Sequence, residues 1–148
     1  MDNTETNNIF DSRNLSTKYG ILAGVGMSLI LLLFQATAND FSPWLKLVKY
    51  FILGIVLIFA LNKLSSISSK DVFIKSISAG TKLSLIAALV LVVINILLFI
   101  AIPNLAFSKY NIEPANFSQV SMVSAVLFFE TLVFGSIISF AIAQFLKK

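Results

Sequence analysis

The chain has 148 residues, 57% of them hydrophobic and only 12% charged, with a formal net charge of +4. A soluble domain carries about a quarter charged residues, so too little charge is present to wet a globular surface. Cysteine and histidine are both absent, which excludes disulfides, thiol nucleophiles, haem attachment through Cys-x-x-Cys-His and imidazole acid–base chemistry.

Residues Asp2 to Thr17 are rich in Asn, Thr and Ser, and segment 1–17 reads as disordered because it offers little apolar surface to bury. A first uncharged apolar block then runs from Tyr19 to Ala38, long enough to cross a hydrocarbon core of about 30 Å. Because no small-residue cleavage site separates this block from the next, it reads as a retained helix rather than a signal peptide. A tight turn, Asn39 to Pro43, leads into a second block, Trp44 to Asn62. Its Lys46 and Lys49 lie in the first turns, where long stems can return the ammonium groups to the headgroups. Together with Trp44 they form a candidate contact for lipid phosphate, against the simpler reading of snorkelling.

The link Lys63 to Ser78 contains Ser65-Ser66-Ile67-Ser68-Ser69. Phe73, Ile77 and Gly80 then fall at helical spacing, which predicts a short interfacial segment before the third helix. That helix is expected over 79–102, closed by Pro103, since proline disfavours helix in the residue before it. An outer loop with Phe107, Tyr110 and Phe117 suits the headgroup region. A fourth helix is expected over 121–146, longer than the core by more than a turn, so that it tilts. The fold class is therefore all-α: an integral membrane four-helix bundle of two antiparallel hairpins, 18–148.

Of the 11 Lys and Arg residues, eight (Arg13, Lys18, Lys63, Lys70, Lys75, Lys82, Lys147 and Lys148) fall on one side of that arrangement. Lys46, Lys49 and Lys109 fall on the other. The positive-inside bias thus predicts that both termini are cytoplasmic. The basic balance carries no folded basic surface with interleaved aromatics, so nucleic acid is not an expected partner.

Seven carboxylates are present, with no pair at ligand spacing inside a predicted helix, so no metal, cofactor or catalytic residue is expected. Glu130 lies deep in the fourth block. An ionisable group there costs about 3 kcal/mol on insertion scales and normally faces the bundle interior or a cavity. Three roles fit it: a protonated hydrogen-bond donor holding helices together, a proton or cation site, or a contact with a partner's helix. Counted from the outer ends of the predicted spans at 1.5 Å per residue, Asn95 and Glu130 lie about 10 and 13 Å deep. They are expected to form a polar pair across helices 3 and 4.

Small residues recur every fourth position in three spans: Gly20, Gly24 and Ser28; Gly80, Ser84 and Ala88; Thr131, Gly135, Ser139 and Ala143. Such rows let helix backbones approach closely, within the bundle or between copies. The sequence Lys18-Tyr19-Gly20-Ile21-Leu22-Ala23-Gly24 opening helix 1, Phe73 to Gly80 entering helix 3, and the lysine-ended last helix resemble the domain-of-unknown-function 4199 family. The resemblance covers most of the chain from Lys18 onward and implies a small four-helix protein of the bacterial inner membrane with no established activity.

The expected function is a non-enzymatic accessory or structural subunit of a larger membrane complex. Its partners would be the bilayer and either another membrane protein or further copies of itself. The alternative is a small oligomeric carrier: a proton-coupled transporter using Glu130, or an accessory to the transfer of polyprenyl-linked sugars.

Overall fold

A computed structural model describes the backbone of residues 3–37, 43–67, 72–101 and 117–146, and the side chains of residues 14–33, 47–66, 72–101 and 117–146. These segments are four helices: α1 (Asn3–Thr37), α2 (Pro43–Ile67), α3 (Val72–Ala101) and α4 (Phe117–Leu146). Each contains a stretch long and apolar enough to cross a membrane. In hydrocarbon no water is present to satisfy a backbone amide, so a segment of this composition must close its own hydrogen bonds, and the helix does so.

Four boundaries differ from expectation, one of them the start of α4, which takes in residues 117–120 read as outer loop. α1 begins at Asn3, so the segment read as disordered continues the helix. No Gly or Pro precedes Gly20, and extension of a helix already nucleated by the span costs little. α2 runs on to Ile67, with Ser65 and Ser66 each donating to a carbonyl one turn back, Asn62 O at 2.9 Å and Lys63 O at 2.7 Å. The interfacial segment expected before helix 3 is the first two turns of α3 itself, whose Ser76 and Gly80 are already buried. The expected turn at 39–42 and most of the second outer loop lie outside the described residues.

The exterior is oilier than the interior. Leu22, Phe51, Ile100, Phe129 and Phe145 are all more than half exposed, while the buried set includes Ser28, Ser76, Ser84, Asn95, Ser124, Thr131 and Ser139. Apolar exposure on this scale would aggregate in water and is at home in lipid. The chain is a multi-pass membrane protein.

The glycines fix how the helices lie. A Cβ on Gly80 would fall 2.6 Å from Ser139 Cβ, and one on Gly135 would collide with Ser84. As one position advances along α3 its partner retreats along α4, so the two helices are antiparallel. The same register sets Ser76 opposite Ala143, Ala88 opposite Thr131 and Asn95 opposite Ser124, all of them buried. A Cβ on Gly20 would meet Ile86 and the Leu83 carbonyl, and one on Gly24 would meet Val90 and the Ala87 carbonyl. Both positions advance together, so α1 and α3 are parallel.

Dispersion across these close contacts replaces the hydrophobic drive that lipid removes. Ala23 and Met27 from α1, Leu53 and Leu57 from α2, Leu83, Ala87 and Leu91 from α3, and Leu127 from α4 complete the core.

Substitutions of these glycines should therefore separate by environment. Gly80→Leu and Gly135→Leu overfill a closed seam and should cost about 1–3 kcal/mol each. Gly54→Ala, where an added Cβ meets nothing within 4 Å, should cost nothing and gain up to about 1 kcal/mol from helix propensity. Helix loss on titrating mixed micelles with sodium dodecyl sulfate, followed by circular dichroism, measures both; equal costs at all three sites would contradict the described seam.

Candidate functional site

Buried positions in α2 recur as Lys49, Leu53, Leu57, Leu61 and Leu64. This is a helical stripe on which Lys49 occupies the outermost place. Its side chain is 2% exposed, and its Nζ donates to Glu130 Oε2 at 3.1 Å. The ammonium also lies 4.8 Å from the centroid of the Tyr50 ring, a cation–π distance whose attraction grows as water is removed. Tyr50 in turn stacks on Phe134, with centroids 4.5 Å apart and planes inclined by 22°. Phe134 follows Glu130 by one turn of α4, so the two contacts form one strip joining α2 to α4.

Two expectations are corrected here. Lys49 neither snorkels nor offers itself to a lipid headgroup; it turns inward, because a carboxylate at its own depth satisfies it better than a long reach to the interface. The side chains of Lys46 and Trp44 lie outside the described residues. The pairing of Glu130 with Asn95 is not formed. Asn95 donates back to its own helix, Nδ2 to Leu91 O at 2.8 Å. The α3–α4 register sets it opposite Ser124, about two turns from Glu130. It is Thr131, and not its neighbour Glu130, that faces α3.

Depth measured from the ends of the apolar blocks does not pair Lys49 with Glu130. On that count Lys49 is shallower than Glu130 by several ångströms. The start of α2 sits deeper than that of α4, as the proximity of Leu53 to the Gly135 position shows, and this brings the pair level. The available signal was charge itself: opposite charges in two spans are cheapest when paired.

The small-residue rows all face inward. Ser28, Ser84 and Ser139 donate to carbonyls four residues back, Gly24 O, Gly80 O and Gly135 O, at 2.9, 2.8 and 2.6 Å. Gly20, Gly24, Gly80, Ala88, Thr131, Gly135 and Ala143 are buried with them. The hydroxyls of Ser76, Ser124 and Thr131 are buried and have no hydrogen-bond partner among the described residues.

Outside the ion pair the α2–α4 face opens into an apolar groove of about 410 Å³, walled by Leu47, Phe51, Gly54 and Ile58 of α2 and by Phe134 and Ile138 of α4. Glu130, one turn before the groove residue Phe134, has its side chain 32% exposed. Its Oε2 is held by Lys49. Glu130 is the only carboxylate among the described side chains, and no group of three potential metal ligands occurs there.

The arrangement can bind and orient. A carboxylate neutralised by a fixed ammonium offers no net charge to a cation, and no second ionisable group continues from it as a relay among the described residues. Comparison with protein-family models, with curated proteins and with solved structures finds no match to this chain.

A double-mutant cycle tests the pair. Lys49→Met removes the ammonium that Glu130 accepts from and Glu130→Leu removes a carboxylate from a buried ammonium; each should cost about 2–4 kcal/mol, while the double replacement should return to within about 1 kcal/mol of the parent. Asn95→Leu should add independently to Glu130→Leu. Additive costs for Lys49 and Glu130 in the same detergent titration would dissolve the pair.

Proposed function

We propose that this chain is a non-enzymatic accessory subunit that docks against a larger protein in the bacterial inner membrane, with both termini cytoplasmic. One observation carries the reading: the bundle leaves a partly exposed carboxylate at membrane depth beside an open apolar groove. A carboxylate oxygen facing hydrocarbon is expensive, so a face of this kind is complete only when covered. The inward-facing small residues agree, because the rows that would otherwise mediate self-association are occupied within the chain.

The resemblance to the domain-of-unknown-function 4199 family supplies the bacterial membrane in this proposal. The lysine and arginine bias supplies the orientation. The carrier reading is weaker, because Lys49 already occupies the carboxylate such a carrier would use.

Solubilised from its own membranes in mild detergent, the tagged chain should migrate on native gels in a complex well above its 16.2 kDa, together with a second membrane protein in fixed ratio. A monodisperse monomer would count against the subunit. Substrate-dependent proton release that disappears in Glu130→Gln would favour the carrier instead. A phosphatase reporter fused after Lys148 should be inactive and a cytoplasmic fluorescent reporter bright; the reverse pattern would invert the proposed orientation.

A further inference from the structure

We infer that the outer face of the α1–α3 pair binds one phospholipid bearing two phosphates, its headgroup held between Lys18 and Lys82 and its acyl chains lying along the two helices. Such a site goes beyond the accessory-subunit reading and needs no protein partner.

Register places the two lysines side by side. An added Cβ on Gly20 would meet the Leu83 carbonyl and Ile86, and one on Gly24 the Ala87 carbonyl and Val90, so a residue of α1 is level with those 63–66 positions later in α3. Lys18 and Lys82 are 64 positions apart, and both are exposed. The exposed pairs Val25 with Leu89 and Leu29 with Val93 stand at the same interval. On each helix these residues lie opposite the ones turned into the core, Ala23 and Met27 in α1, Leu83 and Ala87 in α3. Close approach of the two backbones at the glycines makes the stripes one outer surface, oily along most of its length and cationic at one depth.

That depth is the edge of the hydrocarbon. After Lys18 no further charge occurs in α1, and after Lys82 none occurs in α3. Asn14 and Ser78, four residues before the lysines and both exposed, put an amide and a hydroxyl on the aqueous side of them. The face thus reads, from water inward, as hydrogen-bond donors, ammonium groups and apolar side chains, the order in which a phospholipid presents its own headgroup, phosphates and chains.

Two ammonium groups brought to one depth on close-packed helices repel each other unless an anion lies between them. No carboxylate of this chain stands at that level. Asp11 precedes Lys18 by seven residues of α1, Asp71 comes before α3 begins, and Glu130 is level with Leu89, seven residues beyond Lys82. Seven residues of helix span about 10 Å. Asp2 and Glu5 precede Asp11, and Asp40 and Glu113 lie past the opposite ends of α1 and α3. A second copy in the same orientation would therefore bring lysines to this face and no acid to meet them. The anion that the bilayer itself supplies at this height is phosphate, and two cations between transmembrane helices match a headgroup with two, that of diphosphatidylglycerol.

Native mass spectrometry of the full-length chain in mild detergent tests the site, with diphosphatidylglycerol, phosphatidylglycerol and phosphatidylcholine of matched acyl chains as probes. One diphosphatidylglycerol should stay bound, about fivefold more tightly than phosphatidylglycerol and more tightly still than phosphatidylcholine. Lys18→Gln and Lys82→Gln should each weaken it about fivefold, the effect of one lysine beside an anionic headgroup. The paired replacement Lys18→Arg with Lys82→Arg should keep most of the affinity. Lys63→Gln, which removes an exposed lysine at the same end of the bundle but on α2, should change it less than about twofold. All these positions are exposed, so each variant should keep the parent's resistance to sodium dodecyl sulfate.

Equal affinity for diphosphatidylglycerol and phosphatidylcholine overturns the inference, as does a loss in Lys63→Gln as large as in Lys18→Gln, which would mark diffuse attraction to a basic end. Phosphatidylglycerol held as tightly as diphosphatidylglycerol refutes the headgroup with two phosphates. Displacement of the lipid by inorganic phosphate would assign the lysines to a free anion, and a dimer that is lost in Lys82→Gln would assign the face to a second copy; either result removes the lipid site.

Discussion

Where α3 and α4 cross, Gly80 lies against Ser139 and Ser84 against Gly135, with no room for a methyl group on either glycine. Lipid tails are as apolar as leucine, so burying a large side chain between two membrane helices gains little, and attraction must come from the number of atoms brought into contact. A backbone that carries no side chain achieves this most directly. The remaining geometry follows from the seam: once α3 and α4 are locked in antiparallel register, α1 packs parallel to α3 through Gly20 and Gly24. α2 then closes over Leu53, Leu57 and Leu61.

The seam also accounts for its serines. Ser84 and Ser139 turn their hydroxyls onto the carbonyls of Gly80 and Gly135 in their own helices. A polar group in hydrocarbon thus finds its partner without crossing to a neighbour, and serine occupies little more volume than alanine. Asn95 follows the same rule through Leu91 O. These residues are small or satisfied within their own helix, which separates them from Glu130, whose bond is to another helix.

The four spans, their order and the existence of the small-residue rows were legible because each is a property of one segment, apolar length or a repeat of four; that the rows face inward was not. The pairing of helices was less so. In a soluble helix, polarity marks the outer face; here the outer face is the oilier one, and Leu53 on the core side of α2 is no different in kind from Ile55 on the lipid side. Lys49 could not be placed by its neighbours for this reason. The relative depth of α2 and α4 is set by how Leu53 fits against Gly135, a contact between segments far apart in sequence, and counting residues from the edge of an apolar block misses it. The α3–α4 register, fixed by Gly80 against Ser139 and Gly135 against Ser84, is likewise a contact between distant segments, and it sets Asn95 opposite Ser124.

Stability alone does not explain Lys49 and Glu130. A buried ion pair is commonly replaceable by apolar residues of similar volume at no loss, because desolvation offsets most of the Coulombic gain. What the pair supplies is specificity of fit. Tyr50 and Phe134 would tolerate a shift of α2 along α4, since stacked rings slide at small cost, whereas a 3.1 Å contact between ammonium and carboxylate holds at one depth only. The ion pair and the fit of Leu53 against Gly135 agree on one depth for α2 along α4.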